Sequence, residues 1–376
     1  MSDRQSWAGA LLTTLGGALD SALLRGMSLA YHEALSPPFT EYERLRGIAE
    51  ECAKDGDGDR PQHFLRSAIG ERRTPGDETV RPLPGGQAVT RRFRSGYVPY
   101  RTFHGDDASG SCVENDSIWV EHWMHHGRPR GALLALHGFT MGSPRIDAHV
   151  LMASQWYGAG FDVALMTLPF HGARASATCR YSGERFASWH AGRLNEAVRQ
   201  SVHDASIVVR WLAETRDAPI GVLGVSLGGY VASLLASCET ELAFVVPIVP
   251  AVCLADLPSR LFPLSRSGRA GLQPPLTVAE LREAYRAHSP LSHRLAVPRA
   301  RVFIVAARAD GITLAWHARR LWEHWERPES LWFNGGHVSP FHRSSIVTAI
   351  QAHLDGALAR DHATGVRVLP SRAAAG

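Results

Sequence analysis

The hydrophobic pattern changes character near residue 85. Before that point, apolar residues recur at helical spacing. Trp7, Leu11, Leu15, Ala18, Ala22 and Leu23 form one such series and predict an amphipathic helix over about 6–34. A second helical stretch, about 40–54, follows Pro37 and Pro38. A polar segment comes next, then the Pro/Gly-rich run 75–86, which reads as a linker. Beyond 87 the rhythm is strand and helix in alternation. Two alternating segments open it, 87–98 and 117–124. Apolar runs then fall at 131–138, 161–172, 219–226, 241–252, 301–310 and 330–337, with helical stretches between them and a closing helix at 346–359. Near-continuous apolar runs mark strands covered on both faces. Their alternation with helices predicts a doubly wound α/β sheet, mostly parallel. Between about 253 and 299 the rhythm breaks over a proline-rich stretch with one helical segment, too long for an ordinary loop. It reads as a cap. The expected organisation is a helical extension and linker over 1–84, an α/β domain over 85–360 and a tail over 361–376. No repeat is visible at the periods of solenoids.

The sharpest local motif is Gly224-Val225-Ser226-Leu227-Gly228, a G-x-S-x-G sequence between an apolar strand and a helix. A serine on such a turn projects its hydroxyl from the end of the strand. The flanking glycines are needed because neighbouring backbone leaves no room for a Cβ. The helix start behind the serine supplies free N–H groups and partial positive charge.

A serine hydroxyl attacks only when a base takes its proton. In sheets built around this turn the partners follow in the order Ser, Asp or Glu, His. The last strand runs into Gly335, Gly336 and His337, which makes His337 the candidate base, with His342 as backup. The preceding strand ends at Asp310, the candidate acid, which would orient the imidazole and stabilise its charged form. Asp256, after the strand ending near 252, is a second choice for the acid.

An oxyanion hole requires two N–H groups. Leu227 supplies one, directly after the serine. Phe139 supplies the other, after His137 and Gly138 at the end of an earlier strand. Thr140 adjoins it. A second His-Gly pair, His171 and Gly172, is followed by Arg174. That loop also leaves the carboxyl end of a strand, where ligands bind in such sheets. His137, Thr140, His171 and Arg174 are therefore candidate substrate contacts. His137 also reads as loop-orienting, and Arg174 equally as half of an ion pair.

Composition narrows the field. The net charge of +4 is spread along the chain, and the Arg91, Arg92, Arg94 cluster makes no basic face, so nucleic acid is not an expected partner. Five widely spaced cysteines without a CxxC pair favour neither a disulfide framework nor a thiolate metal site, and suit a reducing compartment. His122, His125 and His126 cluster without a carboxylate frame and read as a strand-end surface group, so no metal is expected. Trp316, Trp322 and Trp325 read as packing groups. No dinucleotide or phosphate-loop fingerprint occurs, and no cofactor is expected. Residues 5–19 are uncharged, but Asp20 and Arg25 end the run before the roughly 20 residues a spanning helix needs. Asp3 offsets Arg4, unlike the start of a secretory signal. The helix 6–34 is expected either to pack on the main domain or to touch a membrane surface or partner. The chain is expected to be cytoplasmic, with peripheral membrane association through that helix as the variant reading.

Together, the His-Gly at 137–138, the elbow at 224–229, Asp310 and His337 resemble the α/β-hydrolase superfamily over residues 87–360. The segment around His171 is also similar to a little-characterised subgroup of abhydrolase-domain proteins. The resemblance implies an eight-stranded, mostly parallel sheet and two-step acyl transfer without a cofactor. The expected activity is that of a serine hydrolase on a small-molecule ester or thioester. Acyl transfer or peptide hydrolysis on the same residues, or a non-catalytic binding protein of this fold, are the alternatives. The motifs leave the acyl group and the oligomeric state open.

Overall fold

A computed structural model describes residues 7–31, 47, 64–66, 70–71, 73–99, 113–186, 193–257, 277–338 and 343–364. His342, the middle of the expected cap (258–276), all but one residue of the expected helix 40–54, and the end of the tail lie outside the described residues.

Nine strands form one sheet in the order β1-β2-β3-β5-β4-β6-β7-β8-β9. They are β1 (Gly76–Leu83), β2 (Gly86–Arg94), β3 (Ser117–His125), β4 (Gly131–Leu136), β5 (Phe161–Met166), β6 (Ile220–Val225), β7 (Phe244–Ile248), β8 (Phe303–Ala307) and β9 (Glu329–Phe333). The pairs β1–β2, β2–β3 and β3–β5 are antiparallel. The run from β5 through β9 is parallel. The fold is α/β, as expected, with one strand more than the eight implied. The extra strand, β1, lies in the stretch that read as linker. Its Pro and Gly residues mislead because they serve a hairpin. Gly85 adopts φ 71° in the turn to β2. Pro82 is tolerated because β1 is an exposed edge.

Helices cover both faces. On one side lie α4 (Arg193–Arg216), α5 (Leu227–Leu235), α6 (Val278–Ala284) and α7 (Ala315–His324), sharing a core with Leu134, Leu136, Val222 and Ile304. On the other lie α2 (Pro144–Val150), α3 (Ala153–Gly158) and α8 (Arg343–Thr364), packed on Leu133, Leu223, Val246 and Val305. Successive residues of each strand face opposite layers, so the inner parallel strands are largely apolar along their length. Burial of β4, β5, β7 and β8 along their whole length is the result.

The described parts of 1–84 pack on this body. Phe64 and Leu65 are buried in the core, and the Arg199 guanidinium lies over the Phe64 ring. The first helix, α1 (Trp7–Tyr31), docks through Gly9, Gly16 and Asp20, which are buried. Three leucines of the series singled out by its spacing, Leu11, Leu15 and Leu23, point the other way, and Leu19 joins them. Leu11, Leu15, Leu19 and Leu23 are 40–46% exposed. The apolar stripe is therefore not the packing face. Glycines bring the helix backbone close to the body, and bulky side chains could not fit between.

Two further readings change, those of His122 and of the tryptophans, while the β2 arginines make no basic face, as expected. His122 lies inside, not on the surface: β3 alternates, and His122 shares the inward face with Ile118 and Val120, edge-on to Trp211. Its neighbour His125 bonds Asp162 and stacks on Tyr157. Trp325 is a core residue as expected, but Trp316 and Trp322 line an open cleft of 520 Å³ with Trp332, Arg308 and Arg319. The arginines of β2 are spent on ion pairs, Arg91 with Asp77, Arg92 with Glu78 and Arg94 with Asp116.

Candidate active site

The chain's direction across the sheet reverses at β4, which pairs with β5 on one side and β6 on the other. Crevices at such switch points, outside the carboxyl ends of the strands, are where ligands bind in open α/β sheets. The loops leaving β4, β6, β8 and β9 carry the candidate serine, acid, base and oxyanion donors, and the loop leaving β5 carries His171 and Arg174.

Ser226 is the entire turn between β6 and α5, since the strand ends at Val225 and the helix begins at Leu227. Its backbone has φ 57° and ψ −112°. A non-glycine residue in that region stores roughly 1–3 kcal/mol of strain. Three hydrogen bonds hold it there. Ser226 N–H donates to Ile248 O at 2.9 Å, and Ser226 O accepts from Tyr230 N–H and Ala251 N–H, each at 3.0 Å. The flanking glycines are obligatory. A Cβ on Gly224 would lie 2.1 Å from Gly228 O, and one on Gly228 would lie 2.1 Å from Leu136 O. The hydroxyl-bearing residue itself is half-buried, at the first turn of a helix whose leading N–H groups have no intrahelical partner.

The structure brings Asp310 and His337 together. Asp310 Oδ2 lies 2.8 Å from His337 Nδ1, between the loops that follow β8 and β9. Asp310 is fixed from its own loop. Its Oδ1 accepts from Ile312 N–H at 3.0 Å and Thr313 N–H at 2.8 Å, and its Oδ2 from the Thr313 hydroxyl at 2.8 Å. Burial opposes charge on both partners. On Asp310 that effect is outweighed by the charge and hydrogen bond of His337 and by Thr313, so its pKa lies below the ordinary value. On His337 burial is outweighed by the charge and hydrogen bond of Asp310 and by the charge of Asp20, so its pKa is raised. The alternative acid, Asp256, is engaged elsewhere: it accepts from Arg282 at 2.9 and 3.1 Å and lies 2.7 Å from His317 Nε2.

The loop after β4 passes beside the serine. A Cβ on Gly138 would be 3.6 Å from Ser226 Cβ. His137 is fully buried and holds this loop: its Nδ1 lies 2.8 Å from Gly138 O, and its Nε2 accepts from Leu168 N–H at 3.0 Å. That pattern sets the tautomer, with the proton on Nδ1. Burial, partly offset by the Gly138 bond, pushes the pKa of His137 down to about 4, so the ring stays neutral. Because Gly138 O turns to this ring, the N–H of the same planar trans peptide, that of Phe139, points the opposite way.

Of the four candidate substrate contacts, only Thr140 is exposed. His137, His171 and Arg174 are fully buried. His171 donates from Nδ1 to Pro169 O at 2.8 Å and packs against the ring of Phe139. Arg174 bonds Asp204 at 2.6 Å and the carbonyls of Thr167 and Asn115 at 3.1 and 2.8 Å. A guanidinium turned inward onto a buried carboxylate braces the loop and does not face a substrate crevice. For Arg174 the ion pair is thus the reading the geometry supports.

Two residues near the pair escaped the sequence. Thr313 stands three residues after Asp310, the spacing at which a side chain can close a turn back on an aspartate. Its hydroxyl also lies 3.2 Å from His337 Nδ1 and 3.3 Å from Val249 O. Asp20, on α1, accepts from His337 N–H at 2.6 Å. Its signal was a lone carboxylate at the end of the uncharged run 5–19, close behind Gly16 and Gly17.

The parallel sheet reversing at β4, the one-residue elbow and the order of the loops define the α/β-hydrolase fold. Comparison with solved structures agrees. An acetyl xylan esterase from Paenibacillus sp. R4 superimposes with a TM-score of 0.53 at 14% identity, over 78% of this chain and 94% of that one. Acetyl xylan esterase 1 from a Thermoanaerobacterium species gives 0.52 at 12%, over 85% of this chain and 99% of that one. No protein-family model matches the chain. In sequence it is 31% identical over 270 residues to an uncharacterised protein of Mycobacterium tuberculosis, recorded in strains H37Rv and CDC 1551. The match covers 70% of this chain and 63% of the relative, so the chain spans less than two thirds of that relative's length.

Proposed function

We propose that this protein is a serine hydrolase that cleaves a carboxylic ester or thioester through an acyl-enzyme. The observation that carries the reading is the 2.8 Å contact between Asp310 and His337 past the ends of β8 and β9, with β7 between them and β6, the strand that ends in the Ser226 elbow. With Nδ1 committed to Asp310, Nε2 is the ring nitrogen left to act as base. Ser226 Oγ adds to the carbonyl carbon while its proton passes to Nε2. The carbonyl electrons move onto oxygen, which the N–H groups of Leu227 and Phe139 receive. Collapse expels the alcohol or thiol, which takes the proton from Nε2. Water repeats the sequence on the acyl-enzyme and releases the acid. In this reading the catalytic domain runs from β1 to about residue 360, with 253–299 as its cap. The two structurally similar proteins named above are both esterases by their descriptions, which fits the reaction class.

The test is covalent labelling of the purified protein with a fluorophosphonate. Wild type is expected to label, and Ser226→Ala and His337→Ala are not. Absence of labelling in folded wild type would reject the hydrolase reading in favour of a binding protein on this fold. Product analysis with competing alcohol, thiol and amine acceptors separates hydrolysis from acyl transfer and peptide cleavage.

The leucine stripe supports a second element of the reading, contact of α1 with a lipid surface. Leu11, Leu15, Leu19 and Leu23 are exposed along one side of the helix, and its only acidic residue, Asp20, is buried underneath. No described helix is long and apolar enough to cross a membrane. A stripe of this kind fits a helix lying in the interface plane.

A further inference from the structure

We infer that Asp20, on the N-terminal helix, is a positioning residue for the acid–base pair, so that α1 belongs to the working part of the active site. The inference rests on the hydrolase reading above. Its basis is a set of contacts that join three segments distant in sequence. Asp20 is fully buried. Its Oδ2 accepts from Gly311 N–H at 2.8 Å and from His337 N–H at 2.6 Å, and its Oδ1 accepts from Val338 N–H at 3.1 Å. Gly311 directly follows the acid, Asp310. His337 is the base. One carboxylate therefore ties the acid loop to the base loop.

The approach is built into the glycines. Gly16 lies one turn before Asp20. A Cβ there would stand 2.1 Å from Gly336 N, and a Cβ on Gly336 would stand 2.3 Å from Gly16 O and 2.7 Å from Asp20 Oδ2. On the other flank, a Cβ on Gly311 would meet Asp20 Cβ at 3.2 Å. The helix backbone thus rests on the loop backbone, which is what lets a short side chain reach three amides. Those amides are partly shielded from water, so a protein acceptor replaces hydration they cannot fully recover. A carboxylate meets all three and forms the stronger, charge-assisted kind of bond.

The choice of a charged acceptor has a consequence for the base. The ionisable groups acting on His337 are Asp310, through charge and hydrogen bond, and Asp20, through charge. Both favour the imidazolium that forms when the serine gives up its proton. Asp20 therefore acts twice: it holds the loop, and it supports the charge on the ring.

Two measurements test this, one of which is independent of enzyme activity. The first is the titration of His337 in protein labelled with carbon-13 at histidine Cε1, its signal assigned by loss in His337→Gln. Asp20→Asn, nearly isosteric but uncharged, is expected to lower the His337 pKa. The second is the fluorophosphonate labelling rate across pH. In Asp20→Asn the acid limb is expected to move to lower pH while the plateau falls. In Asp20→Ala the plateau falls further, by about 10²-fold for a base displaced by an ångström. Gly16→Ala, which keeps the Asp20 carboxylate but lifts the helix that carries it off the loop, is expected to lower the plateau as well. If Asp20→Asn unfolds at a lower temperature yet leaves the His337 titration and the acid limb unmoved, Asp20 is only a packing group and the inference is overturned. If wild type does not label but the titration shifts in Asp20→Asn, the hydrolase reading fails and the coupling of Asp20 to His337 stands.

Discussion

The Asp310 carboxylate and the His337 imidazole meet at 2.8 Å across the ends of two adjacent parallel strands, β8 and β9. The pairing raises the pKa of His337 above its ordinary value of 6.5 and lowers that of Asp310 below 3.8. Only the neutral imidazole can take the serine proton, so activity must rise as pH increases through the His337 pKa. The acid limb of kcat/KM is therefore expected above pH 6.5. Asp310→Asn removes the charge and the acceptor for the Nδ1 proton. The limb should move down, and kcat should fall by about 10⁴. Stability follows the same linkage. The raised histidine contributes fully below 6.5 and loses its contribution as pH rises through the folded value. The lowered aspartate contributes above 3.8 and loses its contribution as pH falls through the folded value. Denaturant titrations should show the stability deficit of Asp310→Asn greatest between these limits and smaller on either side.

Strain at Ser226 gives an opposite prediction for activity and stability. The serine holds φ 57°, a region that glycine occupies without steric penalty. Ser226→Gly should abolish fluorophosphonate labelling while raising unfolding free energy by about 1 kcal/mol, since relieved strain exceeds the entropy glycine adds to the unfolded chain. Urea denaturation measures the second part. A loss of stability would show that the turn is not strained.

Arg174 separates a structural role from a substrate contact. Its guanidinium and the Asp204 carboxylate are both fully buried, 2.6 Å apart. Removing the guanidinium leaves the buried Asp204 carboxylate, among the described residues, with only Ser95 and His203 as partners, and Arg174→Ala should cost about 3 kcal/mol. At temperatures well below the transition, KM for simple esters should stay near the wild-type value. A large rise in KM for anionic esters alone, with little loss of stability, would return Arg174 to the substrate crevice.

The parts of this site that could be read from the chain are those encoded by neighbouring residues. The elbow needs two glycines around one serine, and the steric reason holds within five positions. Asp310 and His337 were picked out because each ends an apolar run, and their mutual contact is what the fold adds. Contacts that depend on which faces meet were not legible. Arg174 read equally as a substrate contact or half of an ion pair, and only the fold brings its partner Asp204, 30 residues away in sequence, to it. Asp20 lies 317 positions from His337, and no local pattern couples them. The N-terminal helix shows the same limit in its packing. Periodicity identifies an apolar stripe, but burial went to the glycines, because only they let the helix approach the loop at Gly336. The strand β1 was missed for a related reason: an exposed edge strand needs no apolar run, and its prolines and glycines then resemble a linker.

That reversed helix face carries the last prediction. A stripe of leucines left in water would be a burden to a helix whose other side already holds it in place. Its exposed charge is confined to Arg25 among the described side chains, with the sole carboxylate buried. Neither desolvation of an acid nor repulsion from anionic headgroups therefore opposes insertion into a lipid interface. The protein should co-sediment with vesicles containing anionic lipid. Replacing Leu11, Leu15, Leu19 and Leu23 together by serine should reduce that binding at least tenfold, because each buried leucine side chain contributes roughly 1.5–3 kcal/mol. These residues are exposed in the folded protein, so thermal stability and fluorophosphonate labelling in solution should change little. Equal vesicle binding by the wild-type and quadruple-serine proteins would exclude the stripe as a lipid contact, whereas a shift from dimer to monomer in the variant would reassign it to self-association.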